Sequence, residues 1–111
     1  MSAEAELWAP QACTLPTGER PLRVAEFDAL FAEAVQNVRR VDSTSVSLDL
    51  QPQLEVAARV ADLVVRETGC CSFFTFSLVA TGDSLRLEIK VPAKHADVLE
   101  ALAARAEGMS T

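Results

Sequence analysis

A chain of 111 residues, half of them apolar, is sized for one domain around a single modest core and is too apolar to stay disordered. Sixteen Asp plus Glu against ten Lys plus Arg give a formal charge of -6, and the only adjacent basic pair is Arg39-Arg40; this excludes nucleic acid and anionic membrane surfaces as expected partners. No run approaches the ~20 apolar residues of a membrane span, and the acidic start Met1-Ser2-Ala3-Glu4-Ala5-Glu6 is unlike a secretory signal, so a cytoplasmic protein is expected.

Residues 1–21 contain Pro10, Pro16, Pro21 and Gly18 and show no periodicity. They read as an N-terminal arm laid over a single domain of residues 22–108, with residues 109–111 as a tail. Trp8 needs a place to bury its ring, and Cys13-Thr14-Leu15 is the arm's candidate extended piece. Phe27, Leu30, Phe31, Ala34, Val35 and Val38 then recur at spacings of three and four, which predicts an amphipathic helix over 24–38. Arg39-Arg40 at its end suits the helix dipole. Val46, Leu48 and Leu50 alternate with Ser45, Ser47 and Asp49, which predicts a half-buried strand over 44–50.

Pro52 opens a second predicted helix over 53–68, where proline in the first turn loses no hydrogen bond. Val56, Val60, Leu63, Val64 and Glu67 lie along one side of it. Gly69 is expected to end it in the left-handed conformation. A strand over 72–80 follows, with Phe74, Phe76 and Leu78 on one face and Phe73, Thr75, Ser77 and Val79 on the other. Thr81-Gly82-Asp83 is a turn signal. Leu85, Leu87, Ile89 and Val91 alternate over a strand at 85–91, Pro92 stops it, and Val98, Leu99, Leu102 and Ala106 mark a last helix over 94–107.

This order predicts an α+β fold: a two-layer sandwich with a small mixed sheet of three to four strands and three helices mainly on one face. The strand–helix–strand unit asks for a parallel crossover and the hairpin for an antiparallel pair. The second sheet face is left for the arm or for a second chain, and a homodimer is expected.

Chemistry-bearing residues are few. There is no glycine-rich phosphate loop, nucleophile elbow or H-E-x-x-H motif, and no tyrosine. No catalytic and no cofactor-binding residue is assigned, which leaves enzymatic activity undecided. Three cysteines in a chain without an export signal suit thiol or metal chemistry better than a disulfide framework. Cys70 and Cys71 fall at the expected helix-to-strand turn, where irregular backbone lets two sulfurs serve one cavity. The helix C-terminus opposes a spontaneous thiolate, but a soft ion such as Zn(II), Cu(I), Hg(II) or As(III) deprotonates a thiol on binding. The candidate metal ligands are therefore Cys70 and Cys71, with Cys13 the third if the arm folds back. A structural zinc knuckle does not fit, because there is no C-x-x-C. The other readings are buried inert cysteines in a dimeric interaction or scaffold domain, and a thiol-redox enzyme. His95 and Glu67 are expected to face solvent; the alternative for His95 is an approach to the cysteine turn. The phenylalanines are expected in the core.

The run Glu67-x-x-Cys70-Cys71-x-Phe73, followed by a hairpin, a strand ending Val91-Pro92 and a terminal helix, resembles a group of small uncharacterised bacterial proteins that share an E-x-x-C-C-x-F motif. The resemblance covers about residues 50–105. It implies a cysteine pair that acts as a unit and an association with metal-responsive regulatory neighbourhoods.

Overall fold

Helix α1 (Arg20–Ala34) leads into a hairpin of strands β1 (Val35–Asp42) and β2 (Ser45–Leu50) in the computed structural model, which describes residues 20–109. Helix α2 (Leu54–Cys70) follows, then a second hairpin, β3 (Thr75–Thr81) and β4 (Ser84–Lys90). A 3₁₀ turn (Ala93–His95) runs into α3 (Ala96–Met109). The fold is α+β, with three helices and one four-stranded sheet among the described residues. The arm expected over residues 1–21 lies outside the described residues as far as residue 19, as do Trp8 and Cys13; Arg20 is already helical. Among the described residues no helix is long and apolar enough to cross a membrane.

The sheet order is β1-β2-β4-β3, and every neighbouring pair is antiparallel. This corrects the expected mixed sheet. β2 and β3 do run in the same direction, as a crossover through α2 requires. They are not adjacent, because β4 inserts between them and pairs with both. Val46, Leu48 and Leu50 of β2 face Ile89, Leu87 and Leu85 of β4 across the ladder. Those six side chains are all buried, and they form the floor on which the helices pack. Phe27, Leu30 and Phe31 from α1 and Leu99 and Leu102 from α3 are at most 1% exposed. Burial of each large apolar side chain contributes roughly 1.5–3 kcal/mol.

The first helix ends earlier than its apolar spacing suggests. Val35 and Val38 continue the three- and four-residue rhythm, yet they belong to β1. A break in the β1–β2 register between Val35 and Asn37 sets Val35 opposite Leu50 and Val38 opposite Leu48. A bulge thus puts two residues three apart on the same sheet face, which mimics helical spacing. β1 also carries three β-branched residues, Val35, Val38 and Val41, which suit strand better than helix. The Gln51 N–H donates to the Ala34 carbonyl at 2.9 Å and holds the helix end against the exit of β2.

Two more expectations change locally. Gly69 is helical rather than left-handed, and α2 runs on to Cys70. The hairpin turn is as expected: Gly82 has φ +55°, a conformation that glycine adopts without Cβ strain, in a two-residue Gly82-Asp83 loop between β3 and β4.

Candidate functional site

The cysteine pair straddles the end of α2. Cys70 is the last helical residue and Cys71 is the cap, with φ -123° and ψ 86°. The Cys71 N–H donates to the Glu67 carbonyl at 2.7 Å, and the Phe74 N–H donates back to the Cys71 carbonyl at 3.4 Å. Ser72 and Phe73 therefore form a tight reversal, and β3 starts only at Thr75. The two cysteines part company in burial: Cys71 is 1% exposed within the apolar core, while Cys70 is half-buried at its margin.

Behind them lies a buried ion pair. Glu67 projects from the apolar stripe of α2, beneath Val56, Val60 and Leu63, and is 2% exposed. This corrects the expectation of a solvated helix-end acid. Its partner is Arg23 of α1, 9% exposed, whose Nη1 donates to Glu67 Oε1 at 2.7 Å. Burial pushes the Glu67 carboxyl above the usual carboxylate range, and the Arg23 guanidinium opposes that shift without cancelling it. The second terminal nitrogen of Arg23, Nη2, reaches Cys70 Sγ at 4.0 Å. One guanidinium thus faces a carboxylate with one nitrogen and a sulfur with the other.

An aromatic row flanks the turn. The His95 ring stacks on Phe73 with centroids 4.1 Å apart and planes 21° apart. Phe73 meets Phe74 at 4.7 Å, and Phe74 meets Phe76 at 5.2 Å. Phe27, Phe31 and Phe74 are in the core, whereas Phe73 and Phe76 are half-buried. His95 is also half-buried rather than solvent-facing, so the 3₁₀ turn before α3 delivers its imidazole to the residue two places after Cys71.

Of the three cysteines proposed as ligands, Cys70 and Cys71 are neighbours at this helix end, one at the margin of the core and one inside it, and Cys13 lies outside the described residues. Among the described residues no three His, Cys, Asp or Glu side chains are grouped to hold a metal ion. Arg23 is the site residue that sequence reasoning missed. Its signal was present: Arg23 stands four residues before Phe27 on the apolar stripe of α1, as Glu67 stands four after Leu63 on that of α2. A cation and an anion that each interrupt an apolar stripe are candidates for each other.

Compared with protein-family models, with curated proteins and with solved structures, the chain matches none.

Proposed function

We propose that this chain is a small cytoplasmic thiol protein that takes a soft metal or metalloid ion at the end of α2, through Cys70 and Cys71. The observation that carries this reading is the contact of Arg23 with Cys70. A buried guanidinium fixed by Glu67 offers a cationic donor 4.0 Å from a half-buried sulfur, the surroundings that compensate the charge of metal-bound sulfur. In the reduced protein Cys70 and Cys71 would supply two sulfurs, which suits Cu(I) or Hg(II); tetrahedral Zn(II) asks for four ligands. Cys13 is the candidate third ligand. The E-x-x-C-C-x-F pattern gains a physical reading here: its acid anchors the arginine that faces its first cysteine.

The test is titration of the reduced full-length protein with Cu(I), Hg(II) and Zn(II), read by thiolate-to-metal absorption and by competition with a chelator. Binding of Cu(I) or Hg(II) in preference to Zn(II), lost in Cys70→Ser/Cys71→Ser, is expected. Equal binding by wild type and double variant sinks the proposal. Arg23→Met at unchanged cysteines is expected to weaken binding, which separates the charge of the site from its ligands.

The second reading is an interaction domain whose cysteines are structural, favoured by the 1% exposure of Cys71. It predicts that Cys71→Ser costs about 1–3 kcal/mol, the range for a polar group forced into a core, with no change in metal uptake.

A further inference from the structure

The two edges of the sheet are built differently. β1 is a guarded edge. It carries Arg39, Arg40 and Asp42, two breaks in register, and bridges from Arg39 to Asp49 and from Arg40 to Glu100 and Glu107 on α3. Charge and bulges of this kind prevent another strand from pairing there. β3 has none of these devices. Thr75–Thr81 contains no charged residue, no proline and no glycine, and it pairs with β4 over all seven residues without a shift in register.

The helix layer also covers β3 only in part: Phe76 packs against the core, but the rows beyond it do not. By register, Phe76, Leu78 and Ala80 continue the core rows of Ile89, Leu87 and Leu85. Leu87 and Ile89 are fully buried, but Leu78 is 38% exposed and Ala80 is exposed. A core row therefore runs out into solvent at an unguarded strand edge. Beside Ala80, between the first turn of α2 and the β3–β4 hairpin, lies a cleft of about 210 Å³ lined by Leu54, Ala57 and Leu85 among others.

We infer that β3 is a pairing edge for a second copy of this chain, joined antiparallel about a two-fold axis through Leu78. The strand is self-complementary in that register. Leu78 is its central residue and meets its own counterpart. Phe76 falls opposite Ala80, so in each half a large side chain faces a small one next to the cleft. Ser77 falls opposite Val79 and Thr75 opposite Thr81, so no charge is buried. The two four-stranded sheets become one of eight strands, and the apolar helix-side row closes across the axis. This inference is independent of the thiol reading.

The test is the mass of the full-length protein by sedimentation equilibrium and by size exclusion with light scattering, for wild type, Leu78→Lys, Leu78→Glu and an equimolar mixture of the two variants. The wild type is expected at twice the chain mass of 11.9 kDa. Each variant alone is expected at the chain mass, because like charges meet at the axis, with a circular dichroism spectrum like that of wild type. The mixture is expected to recover the doubled mass as a one-to-one heterodimer. A monomeric wild type overturns the inference, and slow exchange of alternate β3 amides in that monomer assigns the edge to another segment of the same chain. A dimer insensitive to Leu78→Lys also overturns it and moves the interface to another surface. Monomeric variants that do not pair when mixed overturn the two-fold through Leu78.

Discussion

Helices α1 and α2 are joined by ion pairs at two depths. The inner one, Arg23–Glu67, has side chains 10% and 2% exposed. The outer ones, Arg66–Glu26 and Arg59–Glu33, have side chains 39% to 64% exposed. Contact distances hardly differ: 2.7 Å inside, and 2.9 and 2.7 Å outside. The carboxyls nevertheless respond in opposite ways. Glu67 is pushed above the usual range by burial, whereas hydrogen bonds from Arg66 hold Glu26 below it. Depth, not geometry, sets what an ion pair contributes: an exposed pair keeps its water, and a buried one gives it up.

The largest expected effect breaks the inner pair. Glu67→Ala leaves the buried Arg23 with only the half-exposed Glu26, 3.5 Å from its Nε, as counter-charge, and is expected to lower the unfolding free energy by about 3 kcal/mol in urea titration, the low end for a broken buried pair. Replacing both partners with apolar residues, Arg23→Met/Glu67→Leu, is expected to recover most of that loss, since the desolvation cost disappears with the charges. A double variant as unstable as Glu67→Ala would show that the pair itself, rather than the poorly compensated arginine, holds α1 to α2.

The pH dependence sharpens the comparison through its sign. For Glu67 the folded value lies above the ordinary 4.5, so its contribution is fully present below that value and is lost as pH rises through the higher, folded one. For Glu26 the folded value lies below 4.5, so its contribution is present above that value and is lost as pH falls through the lower one. Unfolding free energies of wild type minus Glu67→Gln should therefore fall as pH rises, and those of wild type minus Glu26→Gln should rise. Two slopes of the same sign would refute the assignment of depth as the cause.

The smallest effect is at the surface. Glu26→Gln at neutral pH is expected to cost at most about 1 kcal/mol, discounted for solvent screening and reduced further by salt. Glu26 also lies 3.5 Å from Arg23 Nε, so a loss as large as that of Glu67→Ala would mean that this link to the inner pair, rather than Arg66, carries the effect.

The cysteine turn was legible only in part. Helix α2, both partners of the second hairpin and the turn at Gly82 follow from apolar period and turn chemistry. The pair Cys70-Cys71 stood out because it is doubled. Its surroundings did not. Arg23 lies 44 residues before Glu67, and local periodicity records that each interrupts an apolar stripe without saying that the stripes face each other. The stacking of His95 on Phe73 was hidden for the same reason, since it depends on where α3 starts relative to the turn.

Strand β1 was missed for another reason. A bulge converts the two-residue repeat of a strand into a three-residue spacing, and a helix has that spacing too. What the sequence by itself determined is therefore the α+β class, most element positions and the apolar faces, because these follow from local period and from Pro and Gly. Tertiary structure alone decided that β4 lies between β2 and β3, that one cysteine is buried and the other half-exposed, and that Glu67 meets Arg23. Those outcomes depend on which faces share a core, and no local stretch of chain contains that information.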